Sequence, residues 1–461
     1  MVRLFGTNGI RGVVNEDMNC ELALRIGKAW GTYLKKNHSN PRVAIGSDAR
    51  LSNHMLKSSV IAGFLATGCD VTDIGLLPTP GIQYVVREKG FDAGVAITAS
   101  HNPPEFNGIK GINRDGTEYY RDTEEEIESI YFSEDFKLVS WDKVGRLDNW
   151  DGGVDLYLKG ILDQVDVGLI RKKRFHVVLD CGSGAGSVIT PVLLEKLGCR
   201  LTKLYCIPDG RFPGHNSEPT PENLEELMKT VPLEEADFGV AQDGDADRAI
   251  FIDEHGNYIW GDKTLTLMTK YILIKEGGGI VVTPVTTSQC IDDVAEKYNG
   301  KVIRTRVGSP TVARVMKQEG AVFGGEENGG LIFPRFQYCR DSVMTIAKML
   351  ELLAEEDKTI SEVIKDIPSY EVIKTKIHCP NEKKEEVLRK ITAIAKKDED
   401  VIKVETIDGV KIFTENGWVL VRPSGTEPIY RIYGESKYRG KVEKLVDYYR
   451  KLVEEIITSL D

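Results

Sequence analysis

Residues 92–110, DAGVAITASHNPPEFNGIK, indicate both a fold class and a place where chemistry would occur. The apolar run DAGVAIT has the length of one buried strand, and Pro103 and Pro104 exclude a helix in the polar segment that follows. The hydroxyl of Ser100 would therefore stand on a rigid turn at the end of a strand, where a nucleophile can be presented. His101 is not expected to activate it, because adjacent residues of an extended chain point to opposite sides. Taken alone, a serine beside Asn-Pro is more typical of a plain turn.

The same order of elements recurs along the chain. Around Ser100, two predicted strands, RVAIGSD and DVTDIGL, flank a predicted helix, SNHMLKSSVIAGFLATGC. The second copy runs from FHVVLD through a helix to ADFGVAQ, and the third runs from GIVVTP through KVIRTRVG to AVFGGEENGG. Right-handed crossovers between parallel strands leave such loops beyond the carboxyl ends of the strands, where α/β proteins bind ligands. The predicted fold class is α/β, with three related α/β/α domains of mixed, mostly parallel sheets whose loops meet in one central cleft.

The end of the chain adds a smaller, different domain. A linker is indicated at about residues 141–153, WDKVGRLDNWDGG, and a new pattern begins after Pro368. The predicted domains are 1–150, 151–253, 254–368 and 369–461, and the last is of α+β type. Its closing helix has apolar residues at helical spacing, which indicates core packing: Val442, Leu445, Val446, Tyr449, Leu452 and Ile456.

Composition excludes several classes of function. The 461-residue chain carries a net charge of −11, which argues against a nucleic-acid partner, since binding to a phosphate backbone depends on clustered Lys and Arg. No window approaches the roughly 18 apolar residues that a membrane span needs, and the first residues lack the apolar stretch of a signal peptide. We therefore expect no membrane partner and a cytoplasmic protein. The eight cysteines form no CxxC pair, which indicates neither a zinc ribbon nor a disulfide framework, and most of them should be small buried residues.

A metal site is predicted in the segment DGDADR. It places Asp243, Asp245 and Asp247 at alternate positions directly after an apolar strand, so an extended segment would aim all three carboxylates to one side. Such groups repel one another unless a cation lies between them, and hard oxygen ligands suit Mg²⁺. A calcium-binding EF-hand is rejected, because Arg248 stands where its loop requires glycine and the following AIFID is typical of a strand.

Two further loops carry groups that suit a sugar phosphate. The segment GGEENGG offers Glu326 and Asn328, whose carboxylate and amide can hydrogen-bond to vicinal hydroxyls, although any surface turn could have this composition. The segment RPSGTEP offers a guanidinium, two hydroxyls and backbone amides that suit a phosphate dianion. Its residues are Arg422, Ser424, Gly425 and Thr426, with Arg431 nearby. Arg11, in GTNGIRG, and Lys110 could neutralise charge on a phosphoryl group.

Taken together and in this order, GTNGIRG, TASHNP, DGDADR, GEENGG and RPSGTEP resemble the α-D-phosphohexomutase superfamily. The resemblance implies three related α/β/α domains and a different fourth domain around a central cleft. It also implies that Ser100 is a phosphoserine, which holds one Mg²⁺ together with Asp243, Asp245 and Asp247. By the same resemblance, Glu326 and Asn328 match the sugar-reading loop. The fourth loop, Arg422, Ser424, Gly425 and Thr426, matches a grip on the phosphate that does not react.

The resemblance also assigns active-site cations. Arg11, Lys110 and Arg248 match such positions, with Lys110 as a candidate general acid/base, and Arg50 matches a position near the site. The chain is most similar to archaeal members of the phosphomannomutase/phosphoglucomutase type, which share GEENGG and the RDxxMT pattern that begins here at Arg340. It departs from the superfamily at Ala246, where a glycine is common. It also departs at Asn328 and Gly330, where many bacterial members have Ser and His, so the sugar preference does not carry over directly.

The implied reaction interconverts hexose 1-phosphate and hexose 6-phosphate through phospho-Ser100 and a hexose 1,6-bisphosphate, which also serves as activator. The implied sugar is mannose or glucose, and glucosamine phosphate is the alternative substrate. A phosphatase acting through phospho-Ser100 and a non-catalytic sugar-phosphate binding protein are rival interpretations of the same residues. The implied partner is a small-molecule sugar phosphate, and a homo-oligomer stays open.

Overall fold

The repeated strand and helix pattern is present in the computed structural model, which describes residues 3–6, 8–425 and 427–460. Three α/β units contain sheets of six, five and four strands, and a fourth unit contains a five-stranded sheet. In each of the first three sheets a parallel set of strands is extended at one edge by antiparallel strands, so the predicted fold class is confirmed. No helix within the described ranges is long and apolar enough to cross a membrane.

The first unit is a six-stranded sheet with helices on both faces. Its strands are β1 (Ile10–Val13), β2 (Arg42–Ser47), β3 (Asp70–Leu76), β4 (Ala93–Ile97), β5 (Phe106–Asn113) and β6 (Leu147–Asn149), and its helices are α1 (Cys20–Leu34), α2 (Asn53–Ala66), α3 (Thr79–Glu88) and α4 (Arg121–Ser133). The strand order is β1-β5-β4-β2-β3-β6. Buried Trp30, Phe64 and Ile97 fill one face, while Ile82, Val86 and Ile112 fill the other. The sheet therefore lies between two apolar layers.

The segment predicted as the first linker is partly a strand. Residues Leu147–Asn149 form β6, which pairs in parallel with β3 at the edge of the first sheet. All three side chains of β6 are exposed, so the strand is held by its backbone hydrogen bonds and leaves no apolar pattern in the sequence. The chain thus completes the first sheet before it enters the second unit.

The second unit repeats the plan with five strands in the order β11-β10-β9-β7-β8. Its helices are α5 (Gly153–Leu162), α6 (Val167–Lys173), α7 (Thr190–Lys196) and α8 (Glu225–Leu233), and its strands are β7 (His176–Asp180), β8 (Arg200–Leu204), β9 (Phe238–Gln242), β10 (Ala249–Ile252) and β11 (Tyr258–Ile259). Because β10 turns back through a hairpin into β11, the sheet extends a few residues beyond the expected boundary at residue 253.

The third unit has the strand order β13-β12-β14-β15. Its helices are α9 (Gly261–Glu276), α10 (Cys290–Lys297), α11 (Ser309–Glu319), α12 (Ser342–Glu356) and α13 (Ile360–Lys365), and its strands are β12 (Gly279–Pro284), β13 (Gly300–Thr305), β14 (Phe323–Gly325) and β15 (Leu331–Ile332). Helix α12 packs against α5 and α6 of the second unit. Side chains of both units, among them Ile161, Phe251, Phe323 and Leu350, consequently form one continuous apolar core.

The fourth unit is a fully antiparallel sheet in the order β16-β20-β19-β18-β17. Its strands are β16 (Glu371–His378), β17 (Val401–Glu405), β18 (Val410–Thr414), β19 (Gly417–Pro423) and β20 (Ile429–Ser436), and its helices are α14 (Lys384–Ala395) and α15 (Arg439–Thr458). As the spacing predicts, α15 buries Val442, Val446, Tyr449 and Ile456 against the sheet. The opposite face packs Trp418 and Leu420 on Val285 of the third unit.

Candidate active site

Three of the predicted site loops occupy equivalent places in the fold. The serine loop joins β4 to β5, the aspartate loop joins β9 to β10, and the loop with Glu326 joins β14 to β15. Each loop follows a parallel strand at its carboxyl end and leads into the antiparallel strand beside it. The three units are arranged so that these loops meet, as the repeats predict.

Ser100 is fully buried at the contact between the first and second units. Its Oγ donates a hydrogen bond of 2.8 Å to Asp243 Oδ2. Its φ of 51° lies in the left-handed region that few non-glycine residues adopt, so the surrounding contacts must hold this conformation. Thr98 Oγ1 accepts from the backbone N–H of Ser100 at 2.9 Å and donates to Asp48 Oδ2 at 2.7 Å. The hydroxyl is thereby aimed at the aspartate loop.

Arg50 positions the serine loop rather than the substrate. Its guanidinium is buried and donates to four backbone carbonyls of the loop, those of Ser100, Asn102, Pro103 and Phe106, at 2.5–2.9 Å. Carbonyl oxygens from four different residues can all reach one planar guanidinium only if the loop curls around it. The position that the resemblance gives to Arg50, near the site, therefore corresponds to a buried support beneath Ser100.

The aspartate loop brings its three carboxylates together, all of them buried. One oxygen from each of Asp243, Asp245 and Asp247 lies within 4.8 Å of the others. Asp245 Oδ1 and Asp247 Oδ1 are buried and have no hydrogen-bond partner among the described atoms. Unpaired carboxylate oxygens are costly to bury, and a divalent cation bound by oxygen ligands would satisfy both. The donor set fits Mg²⁺.

The pKa shifts of the aspartates also favour a bound cation. Burial raises the pKa of Asp243 well above its ordinary value, and the nearby charges of Asp247 and Asp245 raise it further. Burial would also raise the pKa of Asp245, but Lys110, with Thr79 and Arg11, outweighs the effect of burial and lowers that pKa. Without a metal, the loop thus carries one carboxylate that resists ionisation, and the positive charge of a cation would remove that resistance.

Cations surround the carboxylates. Lys110 Nζ donates to Asp245 Oδ2 at 2.8 Å and lies 3.8 Å from Asp247 Oδ2. Arg248 Nε lies 3.6 Å from Asp247 Oδ1. Arg11 NH1 donates at 2.9 Å to Asn102 Oδ1 in the serine loop, and burial lowers the pKa of the Arg11 guanidinium. These three predicted cations therefore face the same small volume as Ser100 and the aspartates.

His101 also lies in this positive environment. Burial, followed by the charges of Arg248 and Arg11, lowers the pKa of His101 to about 2, so its imidazole is neutral at ordinary pH. Its Nδ1 is buried without a hydrogen-bond partner among the described atoms. Within those residues no hydrogen bond joins its ring to the Ser100 hydroxyl, which donates to Asp243, and this agrees with the expectation that His101 does not activate the serine.

Arg340 is a site residue that the sequence pattern alone does not assign. It pairs with Asp247 of the aspartate loop and donates at 2.7 Å to Glu326 Oε2 of the third loop. Glu326 Oε1 in turn accepts from the backbone N–H of Gly308 at 3.1 Å. The buried Arg340 thus joins the second unit to the third across the site. The RDxxMT resemblance was the available signal, but it carried no role for this arginine.

The two departures from the superfamily pattern, at Ala246 and in the loop of Asn328 and Gly330, have different consequences. Ala246 has a φ of 55°, a conformation that favours glycine, and its carbonyl accepts from Ser342 Oγ at 2.5 Å. This explains why a glycine is common there and shows what holds alanine in its place. Asn328 is half-buried, and its Oδ1 accepts from the backbone N–H of Gly330 at 3.1 Å. Its side chain therefore shapes its own loop in this arrangement.

The fourth predicted loop connects to the others indirectly. Arg422 in β19 and Arg431 in β20 are register partners and pair with Asp408 and Glu427 at 2.8 Å each. Asp408 also accepts from the backbone N–H of Val307, next to the glycine that contacts Glu326, at 3.0 Å. The buried Ser424 accepts from Glu427 N–H, and Gly425 is exposed. Thr426 lies outside the described residues.

Arg340→Met should lower the free energy of unfolding by about 3–5 kcal/mol, because it leaves two buried carboxylates without their shared partner. Denaturant unfolding at neutral pH measures this loss. Arg439→Met is the matched control, since Arg439 pairs on the surface with Glu443 and such a pair contributes at most about 1 kcal/mol. Equal effects of the two substitutions would show that Arg340 does not join the units as described.

Comparison with known proteins gives four consecutive family matches. The models describe the phosphoglucomutase/phosphomannomutase α/β/α domains I, II and III and the C-terminal domain, and they match residues 2–138, 155–256, 260–370 and 375–452. Their order is that of the four units in the structure.

Proteins that match nearly the whole chain have names from the same family. A phosphoglucomutase/phosphomannomutase of Thermococcus kodakarensis is 46% identical over 458 residues, 99% of this chain and 100% of that protein. A probable phosphoglucosamine mutase of Methanopyrus kandleri is 43% identical over 460 residues, with coverage of 99% and 100%. The crystal structure of a phosphoglucomutase/phosphomannomutase family protein from Burkholderia thailandensis has a TM-score of 0.89 at 26% identity, covering 99% of this chain and 98% of that one. The chain therefore belongs to the phosphoglucomutase/phosphomannomutase family of the α-D-phosphohexomutase superfamily.

Proposed function

We propose that the protein is a phosphomannomutase/phosphoglucomutase, which interconverts the 1-phosphate and 6-phosphate of mannose or glucose through a phosphorylated Ser100. Enzymes of the phosphohexomutase family use Mg²⁺ and a phosphoserine. The observation that carries the proposal is the hydrogen bond of 2.8 Å from Ser100 Oγ to Asp243, beside two buried carboxylate oxygens that have no other partner among the described atoms.

The charges around Ser100 suit phosphoryl transfer. Asp243, Asp245 and Asp247 would hold Mg²⁺, which when bound supplies positive charge that neutralises the phosphoryl oxygens. Arg11 donates to Asn102 of the serine loop, and Arg248 Nε lies 3.9 Å from Asp243 Oδ2, the oxygen that accepts from the Ser100 hydroxyl. Because phosphoryl transfer depends mainly on positioning and charge neutralisation, these fixed cations would lower its barrier.

The transfer also moves a proton. In the first half-reaction the bond from phosphorus to Ser100 Oγ breaks, a bond forms to a sugar hydroxyl oxygen, and the proton of that hydroxyl leaves. In the second half-reaction the bisphosphate returns its other phosphoryl group to Ser100, and a proton returns to the freed sugar oxygen. Lys110 is the proposed carrier of this proton. Its ammonium, buried beside Asp245, gives a proton to the freed Ser100 oxygen in the first half-reaction, and the resulting amine takes the proton of the sugar hydroxyl. The second half-reaction runs these proton transfers in reverse.

The proposed sugar-binding group is Glu326. Its carboxylate is fixed by Arg340 and by the Gly308 N–H, and each oxygen retains a lone pair that can accept from a sugar hydroxyl. Mannose or glucose is preferred here because the relative at 46% identity carries both activities in its name. Glucosamine phosphate is the second candidate, because a carboxylate also suits an amine and the relative at 43% identity is a probable phosphoglucosamine mutase.

Phosphorus NMR tests the proposal directly. The purified protein is incubated with Mg²⁺ and a trace of hexose 1,6-bisphosphate, and mannose, glucose and glucosamine 1-phosphates are supplied in separate tubes. We expect the 6-phosphate signal to grow fastest with mannose or glucose. Faster growth with glucosamine would reassign the sugar. Inorganic phosphate alone would indicate a phosphatase, and unchanged spectra in all tubes would favour a binding protein without turnover.

Arg422→Ala should raise the KM for the hexose phosphate about tenfold or more with a smaller change in kcat, because a phosphate loses a charged hydrogen-bond donor. Steady-state kinetics with the best sugar measures the change. Arg389→Ala is a matched control in the same unit, since Arg389 pairs with Glu386 on the surface. An unchanged KM in Arg422→Ala would contradict the proposed grip on the non-reacting phosphate.

A further inference from the structure

Two cysteines that are distant in the sequence lie side by side in the second unit. Cys181 follows β7 and Cys206 lies just after β8, and their Sγ atoms are 3.2 Å apart. The two strands are parallel neighbours, with Asp180 opposite Leu204 in the register. The backbone N–H of Cys181 donates to the Leu204 carbonyl at 3.3 Å, which fixes the two chain segments against each other. The spacing of the cysteines, which form no CxxC pair, does not indicate this proximity.

We propose that Cys181 and Cys206 are a site of reversible oxidation, at which a low-molecular-weight disulfide converts the two thiols into an intramolecular disulfide. This goes beyond the mutase activity and does not depend on it. A disulfide needs a sulfur separation of about 2.05 Å, so the two atoms must approach by roughly 1 Å, a shift that side-chain rotation can supply.

The different exposures of the two thiols give an order of events. Cys206 is half-buried and can be reached by a small disulfide, whereas Cys181 is fully buried. The Cys206 thiolate attacks one sulfur of the reagent, which forms a mixed disulfide and releases one small thiol. Cys181 then loses its proton and attacks the Cys206 sulfur, which forms the protein disulfide and releases the second small thiol. Two protein thiols are oxidised and one small disulfide is reduced.

The second step should be slow and should accelerate with pH. Burial, followed by the neighbouring Cys206, raises the pKa of Cys181 well above its ordinary value, so little thiolate forms at neutral pH. Its attack is nevertheless intramolecular, over a distance of 3.2 Å. Mildly alkaline conditions are therefore the appropriate choice for the experiment.

The disulfide would fasten the loop that supports the metal site. The segment 181–186, CGSGAG, lies directly against the aspartate loop, since the Ala185 N–H donates to the Gly244 carbonyl at 2.9 Å. A Cβ on Gly184 would lie only 2.6 Å from the same carbonyl oxygen, which shows how closely the two backbones approach. Linking Cys181 to Cys206 ties this support to the segment after β8 and restricts the unfolded chain.

The test uses the full chain treated with hydroxyethyl disulfide at mildly alkaline pH, after which free thiols are blocked and the protein is digested with trypsin without reduction. Cleavage after Lys196, Arg200 and Lys203 separates the two cysteines unless a disulfide joins them. We expect a linked pair of peptides, Phe175–Lys196 with Leu204–Arg211, that separates on reduction. We also expect the unfolding midpoint to rise by roughly 3–6 °C.

Cys206→Ser and Cys20→Ser provide the controls. The Cys206→Ser protein should give no linked peptide and no rise in the midpoint, while Cys20→Ser, which changes an exposed thiol of the first unit, should behave like the unmodified sequence. The proposal is overturned if the treated protein keeps Cys181 and Cys206 as separately blocked peptides, or if either cysteine is linked to a different one.

Discussion

Ser100→Ala should reduce kcat/KM by at least about a thousandfold while the fold stays intact. The loss follows because alanine has no oxygen to carry a phosphoryl group. The fold should survive, because the hydroxyl makes one hydrogen bond, to Asp243, and the backbone contacts of the residue to Thr98 and Arg50 stay in place. Alanine can also keep the left-handed φ of 51° at the same conformational cost as serine.

Turnover of the preferred hexose 1-phosphate, near-UV circular dichroism and thermal unfolding together measure this outcome. Ser59→Ala is the matched control, because Ser59 lies in helix α2, where its hydroxyl donates to the Met55 carbonyl at 3.0 Å. Activity above about a tenth of the original in Ser100→Ala, with Ser59→Ala unchanged, would exclude Ser100 as the phosphoryl carrier.

Removal of divalent cations should abolish turnover, and Mg²⁺ should restore it and raise the unfolding midpoint. The rise is expected because a ligand that binds the native state stabilises it, by about 2.7 kcal/mol at a concentration one hundred times its Kd. Excess chelator followed by titration with Mg²⁺ measures both effects. Full activity in excess chelator would remove the metal from the proposed mechanism.

Asp243→Asn separates metal binding from folding. The pKa of Asp243 is raised by burial and by Asp247 and Asp245, so above its unfolded pKa the ionised carboxylate costs stability in the metal-free protein. Asparagine removes that cost, and the metal-free variant should be at least as stable as the unmodified protein. It should nevertheless lose most activity and the rise with Mg²⁺. The control Asp148→Asn, on the exposed edge strand β6, should retain both the activity and the rise of the unfolding midpoint with Mg²⁺. A Mg²⁺ response that persists in Asp243→Asn would exclude Asp243 as a ligand.

The parts of the site that could be predicted are those encoded locally. Ser100 and Asp243 each follow an apolar run that forms a buried strand, so the strand pattern alone places both at carboxyl ends of parallel strands. The alternate spacing of the aspartates likewise brings their carboxylates together without any knowledge of distant residues. Local pattern therefore predicts which loops matter.

The connections between the loops could not be predicted in the same way. Arg340 pairs with a residue 93 positions earlier, and the RDxxMT pattern around it does not indicate that partner. Arg50 binds backbone carbonyls, which every residue possesses, so its partners have no signature in the sequence. Strand β6 could not be recognised in the sequence, because its exposed side chains form no apolar pattern. In each case the decisive interaction is made by tertiary packing or by the backbone.

The continuous core of the second and third units limits where homologous genes can be recombined. A crossover between these units would combine half of one core with half of another, including α12 of one parent against α5 and α6 of the other. Side chains that evolved in different parents would then pack against each other at a close-packed surface, where even one extra methylene changes the stability. The main core of the fourth unit is its own, so a chimera that exchanges only residues after Pro368 keeps that core whole and mixes only the smaller contact of Trp418 and Leu420 with Val285.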